Sequence, residues 1–494
     1  MRATVASRAA TARRATRPAD PPRNRPAGRG GSRTASGRVR GAGGRAPVTV
    51  IPMTHPLTLA HLSDTHLGQE AYHAVAANGL NARATDIVKA FHQIATHIAA
   101  SPDIPLALHS GDVGERPSIP VRYMLAARTE FARMAAPLDA GSPYRRQVVV
   151  IAGNHDQPRS PKEPCWLELL STVPGVHVVT GRYTTVAFEE EVAAGRAHPS
   201  LADVVVHALP HDELKLVDFD EVRPVAGKTN ILMSHGVAVG SELFLRAQGR
   251  EYPIPSDLLL REWDYVALGH YHKQGPVYLN GKARTSKIWY AGSPEHIDFG
   301  DVLDGGGKGY LRVGLEPGGA PRVQPVDLPI RPMYRLPVLD AAGMSPERIG
   351  QALAERVRQA GAEGKPVHGA VIQQVVINVK QDLWALVDRG QARRAAGAAL
   401  HYDVVPRFEK PGRRDAGDDP ATGDAGAGGA TPLAHMTRAL REASAEIEED
   451  IRPRALDMAG NLLADALGVP ALQAETARPP AETADQPPAT PHAA

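Results

Sequence analysis

Five short polar segments constrain this chain more than anything else in it. They read Ser63-Asp64-Thr65-His66, Gly111-Asp112, Gly153-Asn154-His155-Asp156, Ser234-His235-Gly236 and Gly269-His270-Tyr271-His272, and each ends an apolar, β-like run. A lone Asp-x-His, Gly-Asp or His-Gly is usually a turn or a satisfied polar residue. Five of them in order, each where a buried strand stops, have no purely structural reason to recur. They are the residue types that ligate metal ions.

The runs between them set the fold. Leu57–Leu62, Pro105–His109, Gln147–Ala152, Val176–Thr180, Val204–Leu209, Asn230–Met233 and Tyr265–Leu268 read as strands. Asn81–Ala100, with Ile87, Phe91, Ile94 and Ile98 on one face, and Val121–Met134 read as helices, and Trp166–Leu170 is helix-like. Continuous apolar strands alternating with helices predict an α/β protein whose strands are covered on both faces. Ligand sites in such sheets lie beyond the strands' carboxyl ends, where these polar residues gather.

The residue types carry the chemistry. Asp64 and His66, one residue apart at a strand end, can face one ion, and Asp112, with two carboxylate oxygens, can bridge two. Asn154 offers a neutral carbonyl oxygen, and His235, His270 and His272 offer imidazole, with alternation letting His270 and His272 point the same way. Oxygen and nitrogen donors without sulfur suit Mn, Fe, Zn or Co. Two ions about 3.5–4 Å apart clamp the attacking and leaving oxygens of an in-line phosphoryl displacement and activate water. His155 is not needed as a ligand and is expected to be the general acid toward the leaving alkoxide, with Asp156 orienting its ring. Other histidines have blander readings. His61 alternates away from Asp64, and His109, His211 and His296 are expected to pack or to support the ligands, as Cys165 is expected to pack.

Composition bounds the rest. At 494 residues the chain exceeds one compact core and predicts two or three domains. No apolar run is long enough to span a bilayer. The single cysteine, Cys165, excludes an intramolecular disulfide and fits a reducing cytoplasm. The net charge of +2 hides an asymmetry: residues 1–52 hold twelve Arg and one acid, Asp20, for +11, which leaves −9 on the remainder. That segment is too poor in large apolar residues to bury a core. Three readings stand: a basic arm that contacts nucleic acid, an organelle transit peptide, or a misassigned start, since Met53 opens a natural approach to the first strand. A disordered arm or a misassigned start is the expectation.

The five segments resemble the calcineurin-like metallophosphoesterases, whose pattern is Asp-x-His, Gly-Asp, Gly-Asn-His-Asp/Glu, His and Gly-His-x-His. The likeness narrows further. His61–Gly68 resembles the opening of the SbcD-type DNA repair exonucleases, and Arg116-Pro117-Ser118 resembles their substrate-side loop. Tyr290–Gly300 is similar to their Gly-Ser-x-Glu-x-x-Asp-Phe-Gly segment, and Lys308–Val313, turning at Pro317-Gly318-Gly319, to their closing hairpin. The resemblance implies a metallophosphoesterase β-sandwich flanked by helices over residues 53–330 and a small α/β capping, DNA-binding domain over 331–410. It implies a Mn-dependent nuclease that hydrolyses phosphodiester bonds at DNA ends in double-strand break repair. It also implies an SbcC-type coiled-coil ATPase partner, and a homodimer formed through helices near the active-site loops. Asp64, His66, Asp112 and His272 would hold one ion; Asp112, Asn154, His235 and His270 the other; His155 would be the catalytic acid. One departure stands out: the family often has an aromatic two residues after the Gly-Asp aspartate and then Asp or His, where this chain has Gly114 and Glu115.

Beyond residue 330 the pattern is strand Tyr334–Val338, helix Pro346–Ala360, strand Ala370–Val379, a helix over Gln381–Arg389 or beyond, and strand His401–Val405. Arg393, Arg394, Arg407, Lys410, Arg413 and Arg414 either face phosphates or form a solvated helix face and charged linker. Residues 411–430 read as a flexible linker. Residues 431–470 read as two amphipathic helices that either dock on a partner's coiled coil or pack on their own chain, and 471–494 as a disordered tail. Two alternatives to the nuclease remain at this level. One is another phosphoesterase of the superfamily, acting on a cyclic nucleotide, a nucleotide or a phosphoprotein. The other is a non-catalytic DNA-end scaffold, which would ordinarily have lost ligands that this chain retains.

Overall fold

Apolar side chains on both sides of the central strands decide the layering. The computed structural model describes residues 56–158, 160, 163–241, 252–279, 287–316 and 318–409, all within a unit ending at Glu409. The N-terminal arm, Pro317 of the hairpin turn, Lys410, Arg413, Arg414, the linker, the helical pair and the tail lie outside the described residues.

The first six-stranded sheet runs in the order Arg322–Asp327, Gly309–Leu315, Leu57–Leu62, Leu106–His109, Gln147–Ile151, Val176–Val179. Its last four strands are parallel, and the hairpin pairs antiparallel at one edge. The second runs Gly275–Pro276, Ile288–Tyr290, Tyr265–Gly269, Thr229–His235, Val204–Leu209, Thr184–Ala187, with four parallel strands between antiparallel edges. Leu57, Leu59, Leu106, Leu108, Val149 and Ile151 of the first sheet pack on Val206, Ala208, Ile231, Met233, Tyr265 and Ala267 of the second. The alternate residues of the first sheet, including Ala60, Leu62, Val148 and Val150, pack on the helices Ala82–Ala99 and Val121–Met134. The far face of the second sheet is covered by Leu258, Leu259 and Trp263. The α/β sandwich flanked by helices is therefore what the doubly apolar strands require.

The long helix starts where its sequence says it should. Asn81 Oδ1 accepts from the backbone N–H of Arg83 and Ala84 at 2.9 and 3.2 Å, meeting two of the donors a helix start leaves open. Ile87, Phe91, Ile94 and Ile98 are all buried. The helix-like segment after Cys165 is a 3₁₀ turn, Trp166–Thr172. Two strands carry no clear sequence signal: Thr184–Ala187 is mostly exposed, and Ile288–Tyr290 is three residues long.

A third sheet occupies residues 333–408. Met333–Arg335, Leu339–Asp340 and His401–Phe408 each pair parallel to Val371–Val379, beneath the helix Pro346–Ala362. The expected strand Tyr334–Val338 is instead two short ones on either side of Pro337, which has no N–H to give a ladder. The expected helix after Gln381 is also two, Gln381–Leu386 and Gly390–Ala395, with Val387 extended between them.

Arg146 is the main polar group inside the first layer. It is 0 % exposed, and its guanidinium donates to the carbonyl oxygens of Ile104, Met134 and Ser101 at 2.6, 2.9 and 2.9 Å. It thereby ties the end of one helix to the end of the other beside the strand Gln147–Ile151. Arg146→Ala strands three carbonyls at about 1–3 kcal/mol each. We expect a loss of at least about 3 kcal/mol in urea unfolding; a loss below about 1 kcal/mol would show that water replaces the side chain freely.

Candidate metal centre

Parallel strands put all five polar segments at one edge of the sandwich. Three follow strands of the first sheet and two follow strands of the second. The first two loops run side by side past their strands, with Asp64 N donating to Gly111 O at 3.0 Å and His66 N to Asp112 O at 3.1 Å. The backbone is bent hard here. Of six non-glycine residues with positive φ among the described residues, four are Asp64, His66, Asp112 and His270. Such conformations cost of order 1–3 kcal/mol each and concentrate at working sites.

Two glycines permit the approach. A Cβ on Gly153 would lie 2.1 Å from Asp112 Oδ1, and one on Gly269 would lie 2.1 Å from both Ser110 O and Ser63 Oγ. Neither position can take any side chain without displacing a residue of the site.

The seven expected ligands converge. His66 Nε2 lies 3.1 Å from His272 Nε2. His235 Nε2 and His270 Nδ1 lie 3.0 and 3.2 Å from Asn154 Oδ1. Asp112 Oδ2 stands between the two groups, 3.3 Å from His235 Nε2 and 3.7 Å from His66 Nε2. Atoms bound to one ion at about 2.1 Å sit about 3 Å apart, so these spacings suit a shared cation. Asp64 joins with both oxygens within reach of the His270 N–H, at 3.0 and 3.1 Å, and with Ser63 Oγ donating to Oδ2 at 2.5 Å. Among the described residues, Asp64–His66–His272, His66–Asp112–His155 and Asp64–Asp112–His235 each bring ligand atoms within 4.8 Å of one another. The donor set of carboxylate, amide oxygen and imidazole fits a borderline divalent ion.

Asp112 and the imidazoles around it shift one another's protonation. Asp112 is buried, which alone would raise its pKa, yet the neighbouring imidazoles of His235, His66 and His155 hold it well below the usual range. Burial likewise disfavours charge on His235, but the Asp112 carboxylate lifts it to about 9.

The imidazoles of the expected ligands are held from behind. His66 Nδ1 meets the Glu115 carboxylate at 2.9 Å, His235 Nδ1 donates to Ser110 O at 2.7 Å, and His272 Nδ1 meets Asp301 Oδ1 at 2.9 Å. Such partners fix which nitrogen carries the lone pair. Glu115 therefore has a role although the aromatic before it is absent: Gly114 sits against the Trp166 indole, where a Cβ would come within 3.0 Å. Asp301 escaped the sequence reading, although it directly follows the quoted Asp298-Phe299-Gly300 run and could have been taken with it.

One expectation needs correction. Asp156 does not orient the His155 ring. Its buried carboxylate accepts from the backbone N–H of Val113, Gly114 and Gly153 at 3.1, 2.8 and 3.1 Å, so it pins the second loop to the third. Burial, reinforced by Asp112, pushes its pKa up to about 7. The ring of His155 is held instead by Glu115 O, 2.6 Å from Nδ1.

The remaining histidines sort cleanly. His61 bonds Tyr265 Oη and Ser110 Oγ at 2.9 and 3.0 Å, and burial drives it down to about 3. His109 bonds Thr65 Oγ1 at 2.6 Å and packs among Phe91 and Phe131. His211 Nδ1 donates to His235 O at 3.0 Å, supporting a ligand without being one. His296 lies beside the Arg83–Glu295 pair, and Cys165 is buried.

If Asp112 lies in both metal positions, Asp112→Ala will weaken both ions and His66→Ala mainly one. Metal content per chain after dialysis reads this directly, and full occupancy in the Asp112 variant would refute the bridging position.

Comparison with known proteins agrees with this geometry. Residues 57–291 match the model of the calcineurin-like phosphoesterase family. The chain is 26% identical over 314 residues to the DNA double-strand break repair protein Mre11 of Sulfolobus acidocaldarius, covering 63% of this chain and 73% of that one. It is 26% identical over 279 residues to the Mre11 protein of Sulfurisphaera tokodaii, covering 56% and 64%. It is 25% identical over 365 residues to that of Aeropyrum pernix, covering 71% and 82%. The matched span contains all five strand-end segments and the central strands of both six-stranded sheets, and residues 57–291 of this chain are a calcineurin-like phosphoesterase domain, the catalytic unit of a metal-dependent phosphodiesterase.

Proposed function

We propose that this chain is a two-metal DNA exonuclease of SbcD type that hydrolyses phosphodiester bonds at DNA ends in double-strand break repair. The observation that carries the reading is the placement of Asp112 between two groups of oxygen and nitrogen donors, Asp64–His66–His272 and Asn154–His235–His270. The names of the curated relatives support the substrate.

In this reading Asp64, His66, Asp112 and His272 hold one ion, and Asp112, Asn154, His235 and His270 the other, with Mn²⁺ the expected metal. Two such ions supply Lewis acidity at the scissile phosphate and a nucleophilic water. The chain's own residues do the rest. The Nδ1–H of His155 donates to a carbonyl, an acceptor that serves the neutral and the charged ring alike. Nε2 is thus left to deliver a proton to the leaving alkoxide. Asp156 keeps the Asp112 and Asn154 loops at a fixed separation through its three backbone bonds.

Residues 53–330 would form the catalytic domain and 331–410 a DNA-binding cap. A cleft of about 430 Å³ on the third sheet is lined by Arg335, Lys365 and Arg407 over Leu303, Val375 and Ile377, with no acid among its described lining residues. Such a cleft suits a phosphate backbone. Val121, Leu125 and Leu169 are 67, 56 and 38% exposed on neighbouring helical turns and offer an apolar face for a second copy of the chain. Residues 431–470 would dock on an SbcC-type coiled-coil ATPase.

The decisive assay incubates the protein with Mn²⁺ and end-labelled linear duplex, in parallel with bis-p-nitrophenyl phosphate, beside a His155→Ala control. We expect shortening of the duplex that falls by 10²-fold or more in the control. Turnover of the small diester without attack on DNA would sink the nuclease reading in favour of another phosphoesterase. A second measurement tests the cleft. Arg407→Glu is expected to weaken duplex binding across all sequences and to flatten its salt dependence by about one unit of slope, leaving diester turnover unchanged. Unaltered binding would remove the cleft from the DNA path.

A further inference from the structure

The imidazole of His272 is backed by a buried ion pair. Asp301, 7% exposed, places Oδ1 2.9 Å from His272 Nδ1. Its other oxygen is also engaged: Oδ2 accepts from Lys308 Nζ at 3.2 Å and from the Ile297 N–H at 2.8 Å. Lys308, 3% exposed, also donates to His272 O at 2.9 Å and to Ser293 Oγ at 2.7 Å. One ammonium therefore grips both the backbone of His272 and the carboxylate behind its ring. The contrast with His235 is plain, since its ring is backed by a neutral carbonyl.

We propose that Asp301 is the positioning residue of His272, that Lys308 fixes Asp301, and that the pair sets the affinity of the metal position containing His272. The proposal rests on His272 being a ligand. A neutral imidazole has one N–H and one lone pair. With Oδ1 of Asp301 an obligate acceptor, the proton sits on Nδ1 and the lone pair on Nε2, the nitrogen 3.1 Å from His66 Nε2. Lys308 and the Ile297 N–H make the arrangement directional, because both are donors and claim an oxygen at the Oδ2 position.

This directionality makes Asp301→Asn a sharp test. An asparagine of the same shape must give its single oxygen to Lys308 and Ile297, which turns its NH₂ toward His272. The imidazole then has to accept at Nδ1 and carry its proton on Nε2, facing the metal. Packing is kept while the lone pair is moved away. Asp301→Glu, which restores an acceptor, serves as the conservative variant.

The readouts are the imidazole ¹⁵N spectrum of the metal-free full chain at a pH high enough to keep His272 neutral, with the His272 signals assigned by their loss in His272→Ala, and calorimetric titration with Mn²⁺. Wild type is expected to show the Nδ1–H tautomer and to bind two ions. Asp301→Asn is expected to show Nε2–H and to weaken one ion 10- to 100-fold, with the other unchanged and partial recovery in Asp301→Glu. An Asn variant that keeps the Nδ1–H form, or binds both ions at wild-type affinity, overturns the proposal. So does equal weakening of both ions, which would mark a general distortion. His272→Ala separates this from failure of the underlying assignment: if it too keeps both ions at wild-type affinity, His272 is not a ligand.

Discussion

The concentration of buried charge at the sandwich edge is the constraint on which the rest of the structure depends. Asp64 and Asp112 are 0 and 2% exposed, and imidazole nitrogens crowd them with no solvent to disperse the charge. Burying ionised carboxylates costs several kcal/mol each unless opposite charge sits beside them. The surroundings offset part of that cost with backbone N–H donors: His155 N holds Asp112 and His270 N holds Asp64, while Glu115, Ser110 and Asp301 hold the imidazoles. Glycines at 153 and 269 remove the atoms that would keep these groups apart. Each device makes sense if the centre is shaped for cations.

Much of this was legible from the chain because two independent patterns agree. Doubly apolar runs announced buried parallel strands, and each polar residue fell where such a run stopped, so fold and ligand set could be read together. Leu57–Leu62, Val121–Met134 and Val204–Leu209 have the expected bounds. Short or half-exposed strands such as Thr184–Ala187 gave no periodic signal, since only Val186 packs against the core. Pro337 split one strand for a local reason that was visible but underweighted.

What sequence could not supply was the second layer of partners. Nothing in a string of letters says that Asp156 turns toward three backbone amides and not toward the adjacent ring, or that the Glu115 carbonyl takes its place. Asp301 lies 29 residues from His272, and Lys308 lies 36. The Ser293–Gly300 run and the hairpin carry no ligand, yet Ser293 and Lys308 stand behind His272. A segment that looked like a family badge has a physical task.

The division of the centre between two sheets has a consequence for how the protein comes into being. His66 and His272, whose Nε2 atoms face each other in the proposed first metal position, are 206 residues apart, and Asn154 and His270 are separated by 116. Closing loops of that size is slow and comes late. A nascent or partly unfolded chain can own every proposed ligand and still have no centre, because neither sheet holds a whole proposed metal position. Hydrolytic power is thereby postponed until the sandwich is complete, which spares the cell a half-made nuclease.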